Sequence, residues 1–283
     1  MRDSTDDFRT DMVHLESIVA MLPNLSILTF DIRGHGYSSC TRIFPSSILQ
    51  STSENLNVVC WYSSYTTPEV EDWVEFLSSR PHLRSISDLA QPYEGPFITT
   101  VVNFPSLTSL HLSQWWSAEY LSRMELPHLQ HLTYRAGYDF TEELAQFLQN
   151  HGARLMSFTT DCRASEWNIL PLLSATCPNL ISLELTIDVW DSLPDNRSAL
   201  APIRTMKLAC RWHKHGRRLY RRLFAFIIDI TTVCPTLKTI QFADERSICN
   251  LNKHLRVLQG QLEILSEAGV TLENADGRLI ALS

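Results

Sequence analysis

The sequence predicts an α/β solenoid, a fold in which short parallel strands and helices alternate in stacked repeats. Two observations support this prediction. A short motif recurs along the chain at intervals of 22 to 34 residues, and between its copies the spacing of apolar residues changes from that of a strand to that of a helix.

The recurring motif is Pro-x-Leu-x-x-φ-x-φ, where φ is an apolar residue. The copies with proline begin at Pro23, Pro81, Pro105, Pro127, Pro178 and Pro235, and three copies without proline in phase begin at Leu56, Leu155 and Ile203. Alternating apolar positions point to one face of a strand, and proline fixes the backbone where the chain turns into that strand. Most intervals match the period of about 20 to 29 residues that is typical of leucine-rich repeats. We therefore expect a leucine-rich-repeat horseshoe with about nine parallel strands on its concave face and helices on its convex face.

Apolar residues between the motif copies have helical spacing. Val70, Trp73, Val74 and Leu77 predict one helix, and Thr67-Pro68-Glu69 before it has the pattern of a capping threonine, a first-turn proline and a first-turn acid. Two further helices are predicted by the faces of Phe140, Leu144, Phe147 and Leu148 and of Leu219, Leu223, Phe226, Ile227 and Ile230. The alternative, a doubly wound α/β domain, would have longer apolar strands without a shared Pro-x-Leu phase.

The end units of a solenoid need caps because their apolar edges would otherwise be exposed. We expect a single domain over residues 1–283, with a helical cap at residues 1–22, repeats at residues 23–246 and a second cap at residues 247–283. The spacing of His254, Leu255, Leu258, Leu262 and Leu265 predicts a helix in the second cap, and a short final strand is expected near Val270-Thr-Leu272.

The composition narrows the possible partners and compartments. The net charge of −7 disfavours nucleic acid as a partner, since such binding needs an excess of Lys and Arg. The seven cysteines are scattered and odd in number, which favours reduced thiols in an intracellular protein. The N-terminus has no signal-peptide pattern, and no apolar stretch approaches the length of about 20 residues that a membrane span needs. We therefore expect a cytoplasmic or nuclear protein without a membrane partner.

Candidate binding residues come from the x positions of the strands, which should line the concave face. These positions are rich in Ser and Thr, and the charged and aromatic exceptions are the candidates for contact with a protein partner, because Trp and Arg are common interface anchors. On the concave face and its rim they are His111, Trp115, Trp116, His131, Arg135, Asp161, Glu184 and Lys207. The alternative is a solvated sheet, since threonine also suits a strand for backbone reasons.

A second candidate surface is the basic run at residues 211–222. Its cations are Arg211, Lys214, Arg217, Arg218, Arg221 and Arg222. The run could bind an acidic partner, a phosphate or RNA, or it could be the solvated face of a helix.

The sequence does not contain a convincing catalytic or metal-binding motif. Asp31-Ile-Arg-Gly-His-Gly-Tyr-Ser38 is similar to a turn of α/β-hydrolases, but the Gly-x-Ser-x-Gly nucleophile motif of those enzymes is missing. Cys210, His213 and His215 lack the fourth ligand and the second pair that a zinc site needs. We find no nucleotide-binding loop and no nucleophile–base pair on the concave face. We therefore expect no cofactor, no metal and no enzymatic activity.

Two junctions carry a resemblance to a known family. Cys177-Pro-Asn-Leu180 and Cys234-Pro-Thr-Leu237 resemble the leucine-rich repeats of F-box proteins, and the irregular repeat lengths resemble the F-box-like proteins of mushroom-forming fungi. The resemblance covers about residues 10–260 and implies the substrate-recognition part of a ubiquitin-ligase subunit. The F-box itself is absent here, so a ligase adaptor is expected as a partner only if an F-box lies upstream. The alternative is a stand-alone scaffold or inhibitor with no link to ubiquitin.

Overall fold

The structure is a computed structural model that describes residues 13–30, 42–43, 45–62, 66–87, 101–113, 124–135, 142–162, 169–193, 200–211 and 216–280. The chain forms two compact units, Met1–Leu129 and Gln130–Ser283. Each unit is built around a parallel sheet whose strands are neighbours in space in the same order as along the chain.

The first unit contains four strands of this kind, separated by helices and by two small additional strand pairs. In chain order its elements are helix α1 (residues 13–20), β1 (Ile27–Phe30), β2 (Arg42–Ile43), α2 (Ser46–Gln50), β3 (Val58–Trp61), β4 (Thr66–Thr67), α3 (Val70–Ser78), β5 (Ser85–Ser87), β6 (Val102–Asn103), β7 (Ser109–Ser113) and β8 (Met124–Glu125). The sheet runs β1-β3-β5-β7 with all neighbours parallel. The two-residue strands pair as β2 with β4 and β6 with β8, also in parallel.

The second unit contains six parallel strands in sequential order. Its elements are β9 (His131–Arg135), α4 (Glu142–His151), a 3₁₀ turn (Gly152–Arg154), β10 (Ser157–Cys162), α5 (Ile169–Thr176), β11 (Ser182–Ile187), a second 3₁₀ turn (Trp190–Ser192), β12 (Thr205–Cys210), α6 (Arg217–Val233), β13 (Thr239–Phe242), α7 (Glu245–Asn252), α8 (Leu255–Glu267) and β14 (Thr271–Glu273). Every neighbouring pair from β9 to β14 is parallel.

The Pro-x-Leu motif forms a tight turn before the strand in all six copies that contain it. The N–H of the motif leucine donates to the carbonyl three residues earlier, as in Leu83 to Arg80 at 3.1 Å, Leu180 to Cys177 at 3.2 Å and Leu237 to Cys234 at 3.1 Å. Proline stands at the second position of this turn, where its fixed φ is already suitable. The repeated proline therefore marks the point at which the strand begins in these six copies.

The residues after the motif leucine join each repeat to the one before it. The N–H groups of Ile181 and Ser182 both donate to the Met156 carbonyl, at 2.8 and 3.0 Å, and those of Arg204 and Thr205 both donate to the Ile181 carbonyl, at 2.8 and 3.1 Å. The same arrangement recurs in both units. Equivalent motif positions therefore lie side by side along the stack, separated by about 4.8 Å, the spacing of neighbouring strands.

The apolar positions of the motif are buried, as the sequence predicts. In β11 the side chains of Leu183, Leu185 and Ile187 are fully buried, and Ser182, Glu184 and Thr186 between them are partly exposed. Strands such as β12 and β13 alternate in the same way. The predicted helical residues Leu144, Phe147, Leu148, Leu223 and Ile227 are all buried. The chain therefore folds as leucine-rich repeats, with all nine predicted strands and the predicted final strand in place.

One local prediction differs from the structure, and one helix was not predicted. Thr67 does not cap the helix after it, because Thr67 lies in β4 and the residue before α3 is Glu69, whose side chain accepts no capping bond. Helix α7 (Glu245–Asn252) was not predicted. Its true cap is Asp244, whose side chain accepts from the Ser247 N–H at 2.6 Å. Phe140 lies outside the described residues.

No helix in the described part of the chain is long and apolar enough to span a membrane.

Candidate functional site

The exposed face of the sheet in the second unit carries polar side chains in ordered rows. The strand register aligns one row of hydroxyl groups and a second row that contains the charges. The hydroxyl row is Ser157, Ser182, Thr205, Thr239 and Thr271, and the second row is Thr159, Glu184, Lys207, Gln241 and Glu273. Each residue is partly or fully exposed. We call these two rows the polar face.

Glu184 and Lys207 are direct neighbours in the register of β11 and β12. Among the described residues neither side chain forms an ion pair, although the two charges are opposite. Gln241, the next residue of the row, is already engaged, since its amide donates to the carbonyls of Asn274 and Ala275 at 3.0 and 3.1 Å. The charges of Glu184 and Lys207 thus remain available to a binding partner.

Asp161 and Arg211, predicted as members of two different surfaces, bind each other. The Arg211 guanidinium contacts the Asp161 carboxylate and lies 3.7 Å from that of Asp188. The Asp161 side chain is only 15% exposed. Arg211 therefore neutralises the acidic ends of β10 and β11, and neither Asp161 nor Arg211 presents an isolated charge.

The other residues of the predicted partner surface lie in different places. His131 and Arg135 are exposed on β9 in the second unit. His111 belongs to β7 in the first unit, and Trp115 and Trp116 are outside the described residues. Of the described residues of the predicted partner surface, Glu184 and Lys207 belong to the polar face, whereas His131, Arg135 and Asp161 lie outside it.

His111 lies at one end of a short chain of hydrogen bonds in the first unit. The Tyr62 hydroxyl lies 3.5 Å from Ser87 Oγ, which lies 3.3 Å from His111 Nδ1. These residues are on β7, on β5 and directly after β3, so the chain crosses three repeats. Of these three residues, the sequence predicts His111 as a partner-binding residue. The motif register could have identified Ser87, because it occupies the equivalent exposed strand position of the preceding repeat.

The Ser87–His111 contact places a hydroxyl and an imidazole within hydrogen-bond distance of each other on this face. Catalysis by such a pair also needs an oxyanion hole of free N–H groups and a group that orients the imidazole. Strand β5 pairs with β3 on one side and β7 on the other, and sheet pairing occupies backbone N–H groups. We therefore interpret the pair as part of a polar surface.

The predicted basic run is divided by the structure. Arg222 is held within the second unit, donating to the Leu193 carbonyl at 2.7 Å and to the Asp191 carboxylate at 3.2 Å. Arg217, Arg218 and Arg221 are exposed on α6, and Lys214 lies outside the described residues. The exposed part of the run is thus one end of a single helix.

The cysteines of the two Cys-Pro-x-Leu junctions are buried structural groups. Burial raises the pKa of the Cys177 thiol, which keeps it protonated and unreactive. Cys234 Sγ lies 3.4 Å from the Ala201 carbonyl oxygen. Cys210 Sγ donates to the Asp188 carbonyl at 3.3 Å, and His213 and His215 are outside the described residues. In the described residues no group of three or more His, Cys, Asp or Glu side chains could hold a metal ion.

Comparisons with known proteins add one structural similarity. No protein-family model matches the sequence, and no curated protein is significantly similar to it. The crystal structure of a TLR13–ssRNA13 complex is similar over 89% of this chain, with 14% sequence identity and a TM-score of 0.41. The chain spans 40% of the length of that protein. The fold assignment rests on the strands, turns and buried motif positions described above.

Proposed function

We propose that this chain is a recognition protein without catalytic activity, and that the polar face of its second unit binds a protein partner. The observation that carries the proposal is the pair of adjacent opposite charges, Glu184 and Lys207, without ion-pair partners among the described residues, beside a row of hydroxyls.

The arrangement suits specific recognition for physical reasons. Each hydroxyl can donate and accept a hydrogen bond. The strands hold these groups at a fixed spacing of about 4.8 Å, so little conformational entropy is lost when a partner binds. A positive and a negative group side by side favour a partner with the complementary pair in one orientation, which gives specificity more than affinity.

The narrower proposal is recognition of a substrate for a ubiquitin ligase. Its support is the resemblance of the two Cys-Pro-x-Leu junctions to the repeats of F-box proteins. The other candidate, a stand-alone scaffold or inhibitor, uses the same polar face and differs only in the absence of a ligase adaptor.

The test is affinity purification of the full-length protein from its own cells, with two variants in parallel. One variant reverses both charges of the polar face, Glu184→Lys with Lys207→Glu. The control is Arg256→Glu, which changes an exposed cation on α8. We expect the same partner with the wild type and the control and its loss from the double variant. Recovery of an unchanged set of proteins by the double variant would refute the proposal. A ligase adaptor among the partners would support the narrower role, and its consistent absence would favour the stand-alone scaffold.

A further inference from the structure

A second surface of the second unit lies at the edge of the sheet where the chain enters β10, β11 and β12. It is a groove with a volume of about 470 Å³. Ligand-binding clefts have volumes of about 300–1,000 Å³. The residues that define it are Arg154, Met156, Pro178, Ile181, Pro202 and Arg204, and we call it the edge groove. It is separate from the polar face, which consists of side chains within the strands.

The floor of the edge groove is apolar where the other repeats are polar. Met156 and Ile181 follow the motif leucine in two consecutive repeats, and each side chain is 39% exposed. The other seven copies have a polar residue at this position: Ser26, Asn57, Arg84, Thr108, Gln130, Arg204 and Lys238. The fold therefore does not require an apolar residue here. Two exposed apolar side chains in adjacent repeats, beside Pro178 and Pro202, form a continuous apolar shelf.

Cations surround this shelf. Arg154 and Arg204 line the groove, and Lys238 is the next residue in the row after Arg204. None of these three side chains has a hydrogen bond or ion pair with another described residue, and no described residue that lines the groove is acidic. The chain as a whole has a net charge of −7, so the edge groove is locally more positive than the rest of the chain on average. Its charge is complementary to that of an acidic ligand.

The groove is held in place by the backbone. The Ile181 N–H donates to the Met156 carbonyl and the Arg204 N–H to the Ile181 carbonyl, each at 2.8 Å. The Asn179 side-chain amide donates to the Ala153 carbonyl at 2.8 Å, which ties one turn of the wall to the next. A groove that is fixed before binding loses little entropy when it is occupied.

The dimensions indicate the kind of ligand. From Met156 to Lys238 the row covers three repeat steps of about 4.8 Å each, which equals roughly four residues of an extended chain. One end of the row is apolar and the other is basic. Single-stranded nucleic acid is usually bound by aromatic stacking surfaces, and no described lining residue of the edge groove is aromatic.

We propose that the edge groove binds a short extended peptide segment of a partner protein, in which an apolar side chain is followed or preceded by acidic residues. The apolar side chain packs on Met156 and Ile181. The carboxylates bind Arg204, Lys238 and Arg154.

The test uses the full chain as the target for a phage-displayed library of random short peptides. We expect enrichment of sequences with an apolar residue next to two or more Asp or Glu residues. The best of them, labelled with fluorescein, is then measured by fluorescence anisotropy. Ile181→Asp and Arg204→Glu should each weaken its binding about tenfold or more, because they place like charge against its carboxylates. The substitutions in this test, including the controls below, replace exposed or partly exposed side chains, and unchanged circular dichroism spectra confirm that the variants fold.

The matched controls are Val257→Asp and Arg256→Glu on α8, which make the same kinds of change at exposed positions near a helix N-terminus. Both should bind the peptide as the wild type does, and so should Lys207→Glu on the polar face. Loss of peptide binding in Lys207→Glu would assign the peptide to the polar face and overturn the edge groove. The absence of acidic enriched sequences would also overturn it, as would peptide binding that the groove variants retain. Displacement of the peptide by a short single-stranded RNA would assign the cations to nucleic acid instead.

Discussion

Replacing Gly152 by alanine should destabilise the second unit, although glycine-to-alanine changes in helical segments usually stabilise. Gly152 begins the 3₁₀ turn after α4 and is buried. A Cβ atom there would lie 2.7 Å from the Thr176 carbonyl oxygen and 2.9 Å from Cys177 Sγ. The carbonyl is backbone and cannot rotate away, so the two repeats must move apart. Overpacking of this kind costs about 1–3 kcal/mol, and the lower entropy of the unfolded alanine chain returns about 0.5–1 kcal/mol. We expect a net loss of about 1–2 kcal/mol.

Gly260→Ala is the matched control, because Gly260 lies within α8 and a Cβ atom there would have nothing within 4 Å. This change should stabilise the protein by about 0.5–1 kcal/mol. Urea unfolding followed by far-ultraviolet circular dichroism gives the midpoint and slope for both variants. The two midpoints should shift in opposite directions. Stabilisation by Gly152→Ala, or an equal shift in both variants, would contradict the close contact between the repeat of Gly152 and that of Cys177.

Three further predictions concern polar groups that hydrogen-bond within the fold. Arg80→Met should destabilise the first unit by about 2 kcal/mol, because the Arg80 guanidinium donates to the carbonyls of Leu49 and Thr52; an unchanged urea midpoint would contradict this role. Asp244→Ala should cost about 1–2 kcal/mol through loss of the α7 cap, whereas Asp244→Asn, which can still cap, should cost much less; an equal loss in both would refute the capping. Tyr220→Phe should cost about 1 kcal/mol because the Tyr220 hydroxyl donates to the Ser247 carbonyl at 2.7 Å. Burial raises the pKa of Tyr220, so its contribution is present below the ordinary tyrosine value of about 10 and is lost as the pH rises further. The difference between wild type and Tyr220→Phe in urea unfolding should therefore shrink above about pH 10, and a difference that grows there would contradict the burial of the phenol.

The strands could be predicted because burial and turn geometry are both encoded in the motif. In the six copies with proline the motif leucine closes the turn, and the alternating apolar residues then have only one face to bury. Helix α7 was missed for the opposite reason. Of its eight residues, Ser247 and Leu251 are the buried ones, so apolar periodicity has too little to act on. The pattern of a capping Asp244 three residues before Ser247 was the signal that could have identified it.

The candidate site could be predicted only where the strand register determines which side chains are adjacent. Counting from the motif leucine places Glu184 beside Lys207, and the structure has this pair. The same count cannot connect Arg211 to Asp161, because Arg211 follows β12 and its side chain reaches past the intervening strand β11. The partner of a long flexible side chain at a strand end depends on how far the side chain reaches and on the charges nearby. The sequence pattern does not specify that partner.

Residues that differ from the motif consensus are either hydrogen-bonded inside the protein or exposed at its surface. The residue before the motif proline is Leu22, Phe104, Leu126, Cys177 or Cys234 in five copies and Arg80 in the sixth. Arg80 is buried, and its guanidinium hydrogen-bonds to Ser79, Leu49 and Thr52.

Met156 and Ile181 depart from the motif in the other direction, since they place apolar side chains where the other copies are polar and exposed. All copies of the motif pack in the same way. A residue that departs from the motif but forms hydrogen bonds within the protein, as Arg80 does, contributes to stability. The exposed part of the Met156 and Ile181 side chains gains nothing from the fold itself, because that part stays in water. The free energy of burying this apolar surface is gained only when a ligand covers it. Because the other repeats have polar residues at this position, Ile181→Thr is the direct comparison. This substitution should leave the free energy of unfolding within about 0.5 kcal/mol of the wild-type value while weakening the binding of the acidic peptide. A large loss of stability would instead assign Ile181 to the core.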